Sequence, residues 1–534
     1  MNKIICLLLL LLSFNIRAQH GNLPLGYDAS LLFEKELNNT QLHTSFKPLV
    51  KSLVNMKIDL DSLYQTKFIN DKDIWYKRKL FYEHTLILNG NDYKVYLSPI
   101  IHLDKGKDIH IKKDILTNTR GFMVEGDIGR LVSFSSSFLE NQSIFPEYID
   151  YRIRSKKVVP GQGFARDFKK TGFDYAMASG YVSVKPGNKY LIQFGHGKNF
   201  IGDGYRSLLI SDNSYNYPFL RVQSNFEHIQ YTYLCAELLD INYFEDNSTD
   251  NNNMGYAKKY LSSHYISANI SSNFNLGIFQ SVIWDTNIDS GNKGFDIKHI
   301  NPISLFRPLI YHYKTPHNLM LGINVKYKLP FRSYLYGQLV LDDFKNNKIH
   351  VLDYWNNSRY GYQFGAKLYD FIGIENLCFQ LEYNLVRPFT YAEQNTRVNY
   401  GHYNQSLAHP IGANFSEKIL IISYRKNRWG VNSKLIVTKY GDEIEGHSSY
   451  GHDIYNSIYD YQNSPNQLSQ MYQGDITDIL FSQLNVSYLI NPASNLKIHF
   501  SVMKRVKASQ LIESNSIIYN IGIKTDLFNH YYDF

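Results

Sequence analysis

The segment GHYNQSLAHP, residues 401–410, sets His402 and His409 on either side of Ser406, with Glu417 and Asp442 further along. A serine, an imidazole and a carboxylate are the parts of a nucleophilic hydrolase, provided the imidazole reaches the serine hydroxyl. The glycine pattern of a nucleophile elbow is missing around Ser406, and a polar loop folded into or over the mouth of a barrel accounts for the same residues. A second stretch, FGHGKNFIGDGYRSLLISDN (194–213), holds Gly195, Gly197, Gly202 and Gly204 ahead of Arg206. Phosphate-cradling loops are glycine-rich, but the spacing here fails. Asn199 follows Lys198 where a P-loop needs Ser or Thr, and Phe200 stands where the third glycine of a dinucleotide fingerprint belongs. The glycines are better read as serving backbone geometry, with Asp203, Arg206 and Asp212 anchoring the segment through a buried or lumenal ion network. His196 and His228 read as turn and strand residues, because no HExxH or EF-hand spacing surrounds any histidine or acidic group. No metal and no other cofactor is expected. A third stretch, Gly441 to Gly474, carries Tyr450, Tyr455, Tyr459, Tyr461 and Tyr472 among Asn, Asp, Ser and Gln. Tyrosine pairs an apolar face with a polar tip, which suits contact with a glycan and equally suits an aromatic girdle at a membrane interface.

The elements that must hold these residues are strands. Period-2 alternation recurs from about residue 80 to the end. LGINVKYKL puts Leu321, Ile323, Val325, Tyr327 and Leu329 on one face and Gly322, Asn324, Lys326 and Lys328 on the other. FQLEYNLV, LNVSYLI, LKIHFSV and IYNIGIKTDL repeat the pattern. A soluble sandwich turns the apolar face inward, and a membrane barrel turns it to lipid. Three features favour the barrel: strands near ten residues, short turns such as NPASN (491–495) alternating with long polar loops, and the sequence HYYDF, ending in Phe534, after the last alternating strand. The expected fold is all-β, a transmembrane antiparallel up-and-down β-barrel over residues 80–534, with about 16–18 strands at ~10 residues each plus loops. Residues 19–79 read as a small N-terminal, partly helical periplasmic element, through SLLFEKELNN, FKPLVKSLVNM and DLDSLYQTKFI.

Residues 1–18 read as a signal peptide, with Lys3 before the apolar run Ile4–Leu12 and cleavage after Ala18. Without Lys3 and Arg17 the 56 basic residues fall to 54, against 48 acidic ones, a mild excess that argues for no nucleic-acid partner. Cys235 and Cys378 are too few and too far apart for a disulfide framework, and the sequence does not say whether they pair. Aromatic residues reach 15%, as in barrels with aromatic girdles.

Several blocks then carry a resemblance. RGFMVEGDIGRLVSFSSSFLENQSIFPEYI (120–149), the block 160–222 from PGQGFARDF to YPFLRV, FDIKHINPISLFRP (295–308), LYGQLVLDDF (335–344) and YNQSLAHPIGANF (403–415) follow one another in the order expected of the capsule assembly Wzi family. The chain resembles these outer-membrane barrels, and most closely their gliding-motility RemB-like relatives in Bacteroidetes. Enterobacterial members carry a tryptophan pair and Gly-Pro-Gly where this chain has NFIGDG (199–204), so their sugar-binding detail does not carry over. The resemblance implies a non-enzymatic barrel in the outer membrane that organises the cell surface, through capsule or exopolysaccharide binding or assembly and through gliding or adhesion. Its implied partners are outer-membrane lipid, surface polysaccharide, and gliding-machinery or surface-adhesin proteins. A barrel enzyme acting on lipid or glycan and a simple diffusion porin are the alternatives.

Overall fold

A computed structural model describes residues 20–60, 74–187, 189–245, 255–285, 317–342, 359–459 and 470–534. The expected signal peptide, the block 295–308 and Tyr461 lie outside these residues. Eighteen long antiparallel strands, from Tyr93–Asp108 to Glu513–Thr525, form a closed barrel, and the short strands Leu86–Asn89 and Arg166–Phe168 add to its rims. The first and last long strands close the ring, in register from Asp108↔Ile518 to His102↔Lys524.

Alternation sets the two faces of the wall. Along His317–Lys328, Ile323 and Tyr327 are exposed outward while Gly322, Asn324 and Lys326 are buried inside. Leu381 faces out between Gln380 and Glu382, and Ile498 and Phe500 face out between Lys497, His499 and Ser501. Apolar side chains outward and polar ones inward is the arrangement of a barrel in lipid.

One end of the barrel carries short connections, such as Gly129–Leu131 and Asn427–Arg428; the other carries the long ones. The described residues include the α-helices α1 (Tyr27–Leu37), α2 (Lys51–Asn55), α3 (Trp75–Phe81) and α4 (Glu147–Lys156). α1 overlaps SLLFEKELNN and α2 lies within FKPLVKSLVNM. Most of DLDSLYQTKFI lies outside the described residues, and α3 begins inside the segment 19–79 but in none of the three stretches. α1 lies inside the short-turn end, with Lys35 on Asp370 (2.8 Å), Asn38 on the carbonyls of Arg332 and Ser333, and Tyr27 on Gln380 (2.8 Å).

Three segments fill most of the lumen, and residues 387–414 fold into its long-loop end, where the Leu407 carbonyl accepts from the Ser211 amide (2.7 Å). Residues 20–60 enter from the short-turn end. Residues 198–216 fold inward from the long-loop end and meet them, Phe46–Lys47 pairing with Phe200–Ile201. The third is the tail, 526–534, which turns inward after the last strand and runs up through the barrel. Asn529 touches Asp212, Asp533 meets Arg206, and Phe534 is buried against Arg152 of α4 and Tyr148. HYYDF follows the last wall strand, which ends at Thr525, and Phe534 lies in the interior, not in the wall. Tail residues bond to partners inside, where buried side chains offer them hydrogen bonds and rings.

The wall is uneven at one place. Gly172–Val184 and Tyr190–Gly197 pair only from Gly180↔His196 to Val184↔Ile192. The hairpin Gly401–Ser406 packs on the inner face of the strand Ile229–Glu245, with His402 accepting from the Leu239 amide (2.9 Å) and the Tyr403 amide donating to the Leu239 carbonyl (2.9 Å).

Ile323→Arg places a charge on the lipid face near the middle of its strand. It should destabilise the folded barrel by about 2–4 kcal/mol, read as a lower midpoint in reversible unfolding from lipid bilayers. Arg at the inward Asn324 should give a different signature, through the plug it touches.

Candidate functional site

The plug loop 198–216 is held by polar side chains pointing in from the wall. Glu382 accepts from the amides of Tyr205 (2.6 Å) and Arg206 (3.1 Å). Gln338 accepts from the Leu208 amide (2.8 Å) and donates to the Ile201 carbonyl (2.8 Å). A loop inside a barrel has no strand partner for its backbone, so wall side chains supply one. The glycines follow from this closeness. Gly202 has φ +146°, and a Cβ there would stand 2.6 Å from Gln338 Nε2; a Cβ on Gly204 would stand 2.5 Å from Glu382 Oε2. Gly197 has ordinary space around it, so its lack of a side chain has no such reason; Gly195 lies on the wall strand Tyr190–Gly197, packed closely against Tyr181.

Charge is fixed at the centre. Arg206 is fully buried and bonds Glu417 (3.0 Å) on the wall and Asp533 (3.0 Å) on the tail, between the rings of Tyr205 and Tyr531. Asp533 also accepts from Tyr205 Oη (2.6 Å) and Lys434 (2.9 Å). Burial alone would lower the Arg206 pKa, but the Asp533 and Glu417 carboxylates raise it well above its usual value. Burial likewise opposes ionisation of Asp533, and Arg206 and Lys434 hold its carboxyl well below the usual range. Asp203 and Asp212 are not partners of Arg206. Asp203 meets Lys326 (3.3 Å) and Ser45 (2.8 Å), and Asp212 accepts from Tyr531 (2.7 Å) and Asn529 (2.9 Å). Asp203 therefore ties the loop to the wall and to the N-terminal segment, and Asp212 ties it to the tail.

The serine and histidines of 401–410 are brought near one another without forming a relay. His409 donates to Glu417 (2.7 Å), and Ser406 Oγ accepts from the Ala408 amide. His402, which burial lowers to about 3, is a neutral ring between the Leu239 amide and the Asn216 carbonyl. Neither histidine bonds Ser406. Asp442 lies apart, paired with Lys507 (3.4 Å). His196 contacts the Ala178 carbonyl, and His228 sits in a short turn. Cys235 and Cys378 are buried, unpaired thiols.

Of the tyrosines in the long loop, Tyr459 is the exposed one among the described residues. Tyr455 donates to the Gln405 carbonyl, Tyr472 donates to Ser416, and Tyr450 is half-buried with its amide on Glu443. The loop thus packs onto the mouth. A second aromatic group at the same end escaped the sequence reading: Tyr215 and Tyr403 (centroids 4.9 Å apart), Tyr256 beside Tyr403 (6.4 Å), and exposed Tyr243, bonded to Thr396 (2.9 Å). These rings come from three separate parts of the chain, so no sequence window contains them. They form a ledge of partly exposed rings at the long-loop end. A cavity of about 560 Å³ lies inside, between the N-terminal segment, the tail and the wall, lined among others by Lys51, Tyr96, Glu125, Tyr181 and Phe528.

The sequence profile of the capsule assembly protein Wzi family matches residues 57–443. The chain belongs to the Wzi capsule assembly family. Among solved structures it is similar to Wzi of Escherichia coli, described as an outer-membrane protein involved in group 1 capsule assembly and a carbohydrate-binding β-barrel. That match has 13% identity and a TM-score of 0.54, over 95% of this chain and all of the other. It is also similar to OprD of Pseudomonas aeruginosa (12% identity, TM-score 0.41, 84% of this chain and 96% of that one) and OccAB2 of Acinetobacter baumannii (10%, 0.41, 80% and 97%). At this identity the Escherichia coli structure shares the fold. No curated protein matches the chain. As a Wzi-family member the protein is an outer-membrane barrel of the capsule assembly class.

Arg206→Ala leaves the buried Glu417 and Asp533 carboxylates without their shared cation, and should destabilise the barrel by about 3–5 kcal/mol. Heat-resistant folded protein in outer membranes measures this, and Gly202→Val should lower the same quantity. Because Asp533 ionises more readily in the folded chain, its contribution is present above about pH 4 and is lost as pH falls through its depressed pKa. The wild-type unfolding midpoint should therefore drop on acidification, and less steeply in Asp533→Asn.

Proposed function

We propose that this Wzi-family barrel is a non-enzymatic, closed receptor that binds and retains surface polysaccharide. Its long-loop end would face the outside, and the short-turn end, through which residues 20–60 enter the barrel after removal of the leader at residues 1–18, would face the periplasm. The observation that carries the reading is the filled lumen. Three segments occupy it and are tied to the wall by buried charge, an arrangement suited to presenting a fixed outer surface rather than to passing solutes. The aromatic ledge of Tyr215, Tyr243, Tyr256 and Tyr403, with Tyr459 at the loop tip, offers apolar ring faces with polar tips, the surface that sugar rings and their hydroxyls can both use. The carbohydrate binding described for Wzi of Escherichia coli is consistent with this use. The separate bonding of Ser406, His402 and His409 favours binding over hydrolysis.

Within the family we place the chain nearest the RemB-like branch of Bacteroidetes, with its retained polysaccharide serving gliding or adhesion together with surface proteins. Loss of the gene should release capsule or exopolysaccharide into the medium and reduce colony spreading. A deletion strain that keeps both at normal levels would remove this reading.

Purified barrel should retain the cell's own exopolysaccharide in a pull-down and show no stable conductance in planar bilayers. Tyr243→Ala with Tyr403→Ala should weaken retention several-fold while leaving heat-resistant folding unchanged. Steady porin-like conductance of the wild type would instead favour a diffusion role.

A further inference from the structure

Two histidines and an aspartate meet on the inner wall at the short-turn end, although 395 residues separate Asp104 from His499. His102 and Asp104 lie two apart on Tyr93–Asp108, so both side chains face the lumen. His499 lies on Leu496–Ala508, two strands away across the barrel seam. His102 Nε2 is 2.9 Å from Asp104 Oδ2, and His499 Nε2 is 2.9 Å from Asp104 Oδ1. We propose that His102, Asp104 and His499 form a binding site for a divalent transition-metal ion of the Zn²⁺ class.

The donor set selects the ion. Two imidazole nitrogens with one carboxylate suit Zn²⁺, Co²⁺, Ni²⁺ or Cu²⁺, whereas Ca²⁺ and Mg²⁺ need oxygen ligands. One potential ligand atom from each residue lies within 4.8 Å of the others. Small ring rotations bring these to the ~4 Å span of a common ion with bonds of ~2.1 Å. The strand between them is shaped for the contact. Gly522 pairs with His499 on one side and Asp104 on the other, and a Cβ there would stand 1.9 Å from Asp104 Oδ1. Glycine lets the carboxylate reach across a whole strand.

Charge around the trio leaves it available. Lys497 binds Asp526 (3.0 Å) and Asp28 (3.3 Å), and Lys524 binds Asp526 (3.5 Å). Among the described residues Asp104 has no lysine or arginine ion pair. The His102 side chain keeps 27% of its surface exposed, so the centre is reachable from the lumen. In the metal-free protein each Nε2–H donates to one carboxylate oxygen. On binding, each ring carries its proton on Nδ1 and gives the Nε2 lone pair to the ion, and water completes the coordination. Spacing motifs do not reveal such a site, because barrel closure and not local sequence assembles it.

The test uses untagged full-length barrel in detergent, stripped with chelator and then supplied with Zn²⁺ or Co²⁺. One Zn²⁺ per chain is expected by elemental analysis, with affinity reduced at least tenfold in His499→Gln and Gly522→Ala variants that keep heat-resistant folding. The wild-type Co²⁺ absorption spectrum gives a readout that needs no variant, and imidazole-ligated Co²⁺ should appear at one equivalent. A wild type that takes up neither ion, or uptake unchanged in a folded His102→Gln/His499→Gln protein, overturns the assignment.

Discussion

A guanidinium in the middle of the barrel has to be matched, and the interior is arranged around that requirement. Removing a charge from water costs several kcal/mol unless close counter-charges and hydrogen bonds replace the solvent. Arg206 finds Glu417 on the wall and Asp533 on the tail, while Lys434 and Tyr205 hold Asp533 in turn. These bonds join a loop, two wall strands and the tail at one point. The backbone of the loop then needs Glu382 and Gln338, and their closeness leaves no room for side chains at 202 and 204.

The same logic inverts the usual relation between burial and polarity. Outside, the wall is apolar and faces lipid. Inside lie buried Asn324, Lys326, Gln363, Gln380 and Asn384, each within reach of a partner on the plug or on a neighbouring strand. Apolar clusters sit within this polar interior where the plug loop meets residues 387–414, as with Leu208, Leu209, Tyr391 and Leu407. A plug built this way keeps one position relative to the wall, because hydrogen bonds are directional and fix register as apolar contact does not.

Much of the wall was legible, for a simple reason. A strand's period of two is local, so Leu321 to Lys328 announces its two faces within eight residues. The family blocks were legible for the same reason, being contiguous. Contacts made by closure were not. Nothing near HYYDF indicates that Asp533 will reach Arg206, and nothing near His499 indicates Asp104. The loop tyrosines were visible as composition, but composition does not tell that Tyr472 turns in to Ser416 while Tyr459 stays out. Glu417 was singled out as a remote acid for a serine site, whereas its partners are Arg206 and His409. That difference is one of distance in space, which a linear reading has no means to measure.

The seam between Tyr93–Asp108 and Glu513–Thr525 lies directly between the two ends of the chain that fill the lumen. One segment precedes the first strand and the other follows the last, so the ring shuts around both. A ring that zipped up with the tail outside would trap Arg206 with half its counter-charge and strand nine residues at the rim. The seam and the buried charges are therefore linked in energy: the native wall is favoured when the tail lies inside, where Asp533 completes the neutralisation of Arg206. Wall and contents thus form a single energetic unit, although the two chain segments inside are joined covalently to the wall only at its first and last strands.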